Sequence, residues 1–212
     1  MHLAARSGAD AVVNAAAYTN VDLAETEEAL ATTVEETDEV LRMLNTLMDI
    51  TEAESGVLRL SYEELFLPDL LEDVRDLYDF VAEEAGVSLQ VEAADPVTLS
   101  ADPIRLRQVV ANLVDNAVKY TPAGGAVRIA AHRGEGEVEI QVSDSGVGID
   151  PAEQERVWDR LYRGTPGGDN RGMGLGLSLV KAVVEAHRGR VTMESEPGKG
   201  SSFYLHLPLS KL

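Results

Sequence analysis

The feature that most constrains the fold is a switch of hydrophobic period that recurs from about residue 57 onward. Val127, Ile129 and Ala131 alternate with other residues, as do Val138, Ile140 and Val142, and Gly134–Gly136 joins the two runs as a hairpin. Arg190–Glu194 and Ser202–Leu207 alternate in the same way across Pro197-Gly198-Lys199-Gly200. Around these pairs the period lengthens to that of a helix. Pro68–Ala85 has a proline suited to a first turn and Gly86 to end it. Asp102–Lys119 has Asp102 as its cap and Pro103 at its first position, and Leu175–His187 opens from a glycine-rich run. Short strands are expected at Val57–Leu60, around Leu89 and Val91, and at Val97–Leu99, with a short helix at Pro151–Arg160. Strand pairs separated by helices predict an α+β fold, a two-layer sandwich in which helices cover one face of a mixed sheet.

Residues 1–56 differ in kind: they are rich in Ala, Thr and Glu and hold no proline. Leu30, Val34, Thr37, Leu41, Leu44 and Met48 are spaced as an a/d heptad seam. Such a helix either packs on its own domain or forms half of a dimerising hairpin. Glu54-Ser55-Gly56 ends it. The expected division is a helical, dimerisation-type segment over 1–56 and a catalytic domain over 57–212.

Composition removes several classes of function. With no cysteine there is no disulfide scaffold, thiolate metal site or thiol nucleophile, and His2, His132, His187 and His206 have no metal-ligand spacing. Lys and Arg number 18 against 37 Asp and Glu, a net charge of −19 that repels nucleic-acid phosphates. No run approaches the ~18 apolar residues of a membrane span, and there is no leader pattern, so a membrane anchor is expected to lie outside this chain. An anionic ligand would have to be held by backbone dipoles or by a cation.

Three motifs supply those means. On the helix 102–119, Asn112, Asn116 and Lys119 share one stripe, while Val109, Val110, Leu113, Val114 and Ala117 take the other side. The stripe is either a solvated face or a ligand face; each asparagine costs the helix roughly 0.6 kcal/mol against alanine. An amide carbonyl suits Mg²⁺ and a lysine suits phosphate. Asp144-Ser-Gly-Val-Gly-Ile-Asp150 leaves a strand, so Asp144 either makes a plain turn or accepts a hydrogen bond from an exocyclic amine, with Gly146 and Gly148 allowing close approach to a flat ligand. Gly172-Met-Gly-Leu-Gly-Leu177 precedes a helix, where free N–H groups and the helix dipole favour phosphate. Neither glycine run has the spacing of a Rossmann or Walker A loop. Between the two motifs, Thr165–Arg171 lacks large apolar residues, as expected of a lid.

In order, Asn112-Leu-Val-Asp-Asn116-Ala-Val-Lys-Tyr-Thr121, Asp144-Ser-Gly-Val-Gly-Ile149, Val157-Trp-Asp-Arg-Leu-Tyr-Arg163, Gly172-Met-Gly-Leu-Gly-Leu177 and Gly198-Lys-Gly-Ser-Ser-Phe203 resemble the N, G1, F, G2 and G3 boxes of sensor histidine kinases. The resemblance, to the catalytic ATP-binding domain of the Bergerat superfamily, covers about residues 34–210. It implies a Bergerat-type sandwich, ATP and Mg²⁺ as cofactors, a homodimer through the N-terminal helical segment, and a cytoplasmic location. It also implies phosphoryl transfer from ATP to a histidine and then to a response-regulator receiver domain. By position it implies Asn116 as Mg²⁺ ligand with Asn112 beside it, Lys119 toward phosphate and Tyr120 toward the nucleotide. Asp144 would accept from the adenine amino group, with Gly146, Gly148 and Ile149 against the base. Arg160 or Arg163 would approach the γ-phosphate, and Gly172, Gly174, Leu175, Gly176 and Leu177 would line the phosphates.

The family's acceptor string, His-Glu/Asp-Leu-Arg-Thr-Pro, is absent from the chain. His2 lies at about the right separation from Gly56, but Leu3 follows it where an acidic residue is wanted. Residues 9–33 resemble instead a segment of dehydrorhamnose reductases, without that family's dinucleotide fingerprint. Alternatives to a kinase core are therefore an ATP-binding signalling module without a working acceptor, or another ATPase of the gyrase, chaperone or mismatch-repair kind. The Lys119-Tyr120 pair and the short lid favour the kinases. The chain is expected to bind ATP but to autophosphorylate poorly.

Overall fold

The structure, a computed structural model, describes residues 34, 37, 40–163 and 173–209. The chain divides into two compact units, one up to Asn45 and one from Thr46 onward. In the first, every described residue is helical, and Val34, Leu41 and Leu44 of the heptad seam are exposed. His2, Leu30 and the reductase-like stretch lie outside the described residues. Helix α1 covers residues 40–54. It stops where glycine was expected to stop it: Gly56 has φ +69°, and Val57 N and Leu58 N both donate to Glu52 O at 2.9 and 3.0 Å.

The second unit is built on two sheets. Strand β1 (Glu63–Phe66) precedes helix α2 (Leu67–Glu84), and β1 pairs antiparallel with β3 (Thr98–Ala101). The main sheet has the order β2-β4-β5-β7-β6, with β2 (Ser88–Ala94), β4 (Ala126–Arg133), β5 (Glu137–Asp144), β6 (Arg190–Glu196) and β7 (Gly200–Pro208). β2 runs parallel to β4, and the other pairs are antiparallel, so the sheet is mixed as expected. Helices α3 (Pro103–Tyr120) and α4 (Gly176–Ala186) join α2 on one face.

The period-two pattern explains the single helical layer. Val127, Ile129, Ala131, Val138, Ile140, Val142, Phe203, Leu205 and Leu207 are buried. They meet Leu70, Leu71 and Val74 of α2, Leu106, Val109, Val110, Leu113 and Val114 of α3, and Leu179, Val180 and Val183 of α4, all buried as well. The alternate residues Glu139, Gln141, Tyr204 and His206 are only part-buried, and among the described residues no helix covers that face. The whole unit is the α/β sandwich the sequence called for.

Two expected elements are corrected. Residues 57–60 are not a strand: the N–H groups of Val57 and Leu58 are used to cap α1, and the β1–β3 register takes Glu63↔Ala101 to Phe66↔Thr98. Pro151–Arg160 is not an α-helix but a chain of turns with one 3-10 turn, Arg156–Trp158. Its bonds Glu153 N→Asp150 O, Arg156 N→Glu153 O and Asp159 N→Arg156 O span three residues, the tighter pattern used in short pieces.

Candidate functional site

The site begins with the capping of α3. Asp102 Oδ1 accepts from Ile104 N at 3.1 Å and Arg105 N at 3.0 Å, and Pro103 supplies the first turn. Asp102 Oδ2 accepts from Ser61 N at 2.9 Å. Its own N–H donates to Nε2 of His187, the residue that ends α4, at 3.0 Å. The imidazole Nδ1 then donates to Val183 O at 2.8 Å, and Tyr62 lies edge-on with centroids 5.6 Å apart. Burial holds the His187 pKa below its ordinary value, opposed by the Val183 carbonyl and the Asp102 charge. The start of α3 is thus fixed to the end of α4, which sets how the two helices meet. Nothing in the sequence marked His187 for this, because its partners are distant along the chain.

With the helices so placed, the asparagine stripe faces the start of α4. A Cβ added to Gly176 would stand 3.6 Å from Asn112 Oδ1 and 3.7 Å from Asn116 Nδ2. Both asparagines are part-buried. The N-cap of α4, Leu175, is buried and makes no side-chain cap bond. The first-turn N–H groups of such a helix have no partner within it, and the dipole leaves positive potential there. Leu177 is part-buried in the same turn. Farther along α3, Lys119 Nζ lies 5.2 Å from the Tyr120 ring centroid. Burial raises the pKa of Tyr120, and Asp115 raises it further while Arg163 opposes both, so Arg163 stands within electrostatic reach of that ring. Burial also raises the Asp115 pKa against the pull of Lys119.

Asp144, at the last position of β5, meets the end of α3 through the loop it starts. Its Oδ1 accepts from Gly146 N at 2.8 Å and Ser201 N at 3.2 Å, and its Oδ2 takes no hydrogen bond from the described residues. Burial raises its pKa, and the two N–H groups hold the rise down. Val147 N donates to Tyr120 O at 3.2 Å, tying the loop to α3. The glycines here are demanded by the chain's own packing. A Cβ on Gly146 would come within 2.4 Å of Tyr120 O, and one on Gly148, at φ +69°, within 2.1 Å of Glu196 O. A Cβ on Gly200 would come within 1.9 Å of Asp144 O.

The remaining candidates divide. A Cβ on Gly174, at φ +68°, would stand 2.5 Å from Tyr162 O, and neighbouring Leu161 has φ +59°, a conformation costly for a branched residue. Residues 162 and 174 therefore come together across the sequence expected to form a lid. Gly172 and residues 164–171 lie outside the described residues. Arg160 pairs with Glu54 of α1, Nε to Oε1 at 3.2 Å and Nη2 to Oε2. Trp158 packs edge-on to Phe203, centroids 5.9 Å apart. Among the described residues no three His, Asp or Glu side chains gather as a metal centre. No helix among the described residues is long and apolar enough to cross a membrane.

Residues 101–211, just over half of the chain, match the family of histidine kinase-, DNA gyrase B- and HSP90-like ATPases. The sensor protein DivL of Caulobacter vibrioides is 40% identical over 171 residues, 80% of this chain and 22% of that protein. The adaptive-response sensory kinase SasA of a Synechococcus species is 40% identical over 179 residues, 81% and 47% of the two chains. The chain thus spans less than half the length of these relatives. Among solved structures, full-length ShkA in complex with AMPPNP is 29% identical with a TM-score of 0.75, covering 84% of this chain and 37% of that one. The five boxed motifs, the mixed sheet with helices on one face and these likenesses agree, and the chain belongs to the histidine kinase-, DNA gyrase B- and HSP90-like ATPase family, with sensor kinases as its relatives by sequence.

Proposed function

We propose that this unit is the ATP-binding core of a sensor histidine kinase. The observation that carries this is the meeting of Asn112 and Asn116 with the uncapped start of α4, on a helix whose end is tied to the loop that follows a strand-end carboxylate, Asp144. ATP would lie with its phosphates on the N–H groups of residues 174–177 and with its adenine amine donating to Asp144 Oδ2. Tyr120, Gly146, Gly148 and Ile149 would border the base, and Lys119 and Arg163 would add positive charge. Arg160 would join them only on leaving Glu54. Mg²⁺ fits the donor set: Asn116 Oδ1, with Asn112 Oδ1 beside it, offers hard oxygens, and this ion takes few protein ligands and completes its shell from phosphates and water. The bound ion would neutralise charge on the β- and γ-phosphates. The chain's own part is to hold the nucleotide and keep its terminal phosphate accessible.

The acceptor would be a histidine nitrogen that attacks the γ-phosphorus while the bond to ADP breaks. Within the described residues His132 and His206 sit on strands, and both ring nitrogens of His187 are engaged. The acceptor is therefore presented from outside this sandwich, on a helical hairpin to which residues 1–56 contribute. Exposed Leu41, Leu44 and Met48 support pairing of that segment with a second copy. The phosphoryl group would pass on to a response-regulator receiver domain. A kinase of similar fold, ThkA, has been seen in complex with a response regulator, TrrA. The core would work on the cytoplasmic side. The binding test uses a non-hydrolysable ATP analogue with and without Mg²⁺. Asn116→Ala should remove the magnesium-dependent gain, and an unchanged gain overturns the metal assignment. Transfer of labelled phosphate to a separately supplied acceptor hairpin, but not to this chain, separates a kinase core from a module that only binds ATP.

A further inference from the structure

The loop that follows Asp144 is fastened to β6 and β7 by two side chains that belong to none of the motifs above. Ser195, in β6, accepts from Ile149 N at 2.8 Å and donates to Gly200 O at 3.0 Å. It also lies 3.0 Å from Ser201 Oγ, which donates to it once its own proton is committed to Gly200. One donor and two acceptor sites exhaust the hydroxyl's capacity. Gln154 holds the other side of the same peptide: its Nε2 donates to Ile149 O at 3.1 Å and to Ser195 O at 2.9 Å. Ile149 is thus clipped at both its N–H and its C=O.

These bonds bear on Asp144 through geometry. Its Oδ1 is pinned by two N–H groups from different segments, Gly146 of the loop and Ser201 of β7. The β5–β7 ladder already sets Ser201 opposite Asp144, so what the loop must supply is the approach of Gly146 N to the same oxygen. Ser195 is the side chain whose hydroxyl touches both segments, Ile149 on one and Gly200 and Ser201 on the other. We infer that Ser195, assisted by Gln154, is a positioning residue for base recognition, which locks the loop to β7 and so aims the free Oδ2 of Asp144 at the exocyclic amine of adenine. This rests on the reading of Asp144 as the adenine acceptor.

The experiment measures binding of non-hydrolysable ATP and GTP analogues to the full chain and takes the ratio of the two affinities. A guanine offers a carbonyl where adenine offers an amine, so a fixed carboxylate rejects it and a loosened one rejects it less. Ser195→Ala should lower the ratio about fivefold, the scale of one hydrogen bond, and Ser195→Thr, which keeps the hydroxyl, should restore it. Gln154→Ala should lower the ratio in the same direction, and it decides the matter if Ser195→Ala does not fold. A merely structural role would weaken both analogues equally at an unchanged ratio, and that result overturns the inference. If Asp144→Asn loses the ratio while Ser195→Ala and Gln154→Ala keep it, the positioning role is wrong and the base reading stands. If Asp144→Asn itself keeps the ratio, the base reading falls, and the positioning role with it.

Discussion

Replacing His187 by alanine should destabilise the sandwich by roughly 2–4 kcal/mol. His187 is 4% exposed, so its partners cannot turn to water. The Asp102 N–H that it accepts at 3.0 Å would be left buried and unpaired, at a cost of about 1–3 kcal/mol. Val183 O suffers less, because His187 N also donates to it at 3.1 Å and the backbone bond survives the substitution. The edge-on contact with Tyr62 adds about 0.5–1.5 kcal/mol. Urea unfolding measures the sum. The pH dependence is a second, independent reading. Burial lowers the folded pKa, so the unfolded chain binds the proton more readily. This group costs nothing above its ordinary value of about 6.5. Stability is then lost as pH falls from there to the folded value, at up to about 1.4 kcal/mol per pH unit. His187→Gln can still accept from Asp102 but cannot titrate, so it should flatten that arm. A His187→Ala variant within about 0.5 kcal/mol of the parent, or a parent whose acid slope matches that of His187→Gln, would refute the reasoning.

Gly148→Ala and Gly198→Ala should separate steric closure from backbone strain. Both residues have positive φ, but a Cβ on Gly148 meets Glu196 O at 2.1 Å while one on Gly198 meets nothing within 4 Å. Thermal melts should show a loss well above 2 kcal/mol for the first and about 1 kcal/mol for the second, and equal losses would count against the packed joint. ATP affinity should fall on acidification at a pH above the usual carboxylate range, because burial raises Asp144 and a protonated carboxyl accepts less well. Calorimetry at stepped pH checks this, and Asp144→Asn should remove that arm of the profile. The Arg160–Glu54 pair is part-exposed, 36% and 55% for the two side chains, so a double-mutant cycle on folding should give a coupling of no more than about 1 kcal/mol.

What the sequence made legible was what local rules decide. α3 could be placed to within a residue because a cap, a proline and a clean helical period all fall inside one stretch. The two hairpins followed from alternation and turn glycines. The asparagine stripe and the strand-end aspartate were visible because each breaks a local preference. Illegible were the features decided by distant partners. Residues 57–60 look like a strand until the cap of α1 takes the N–H groups of Val57 and Leu58, and Gln154 lies in a stretch patterned like a helix but bonds to Ile149 and Ser195. Ser195 and His187 carry no motif; one is a serine in an alternating strand and the other a histidine at a helix end. Their roles come into being only when segments far apart in sequence meet. The pairing of Arg160 with Glu54, 106 residues away, was hidden for the same reason.

The sheet is open, with β2 and β6 at its borders, and an open border can accept a foreign strand. β6 meets that hazard with its composition. Arg190, Glu194 and Glu196 stand exposed along seven residues, and the hairpin turn beyond it carries Lys199. A second copy approaching this border edge to edge would set Glu194 and Glu196 against a chain whose net charge is already −19. Removing those two carboxylates would leave the fold's interior untouched and open a route to β-mediated aggregation, so at this border the acidity of the chain protects its solubility.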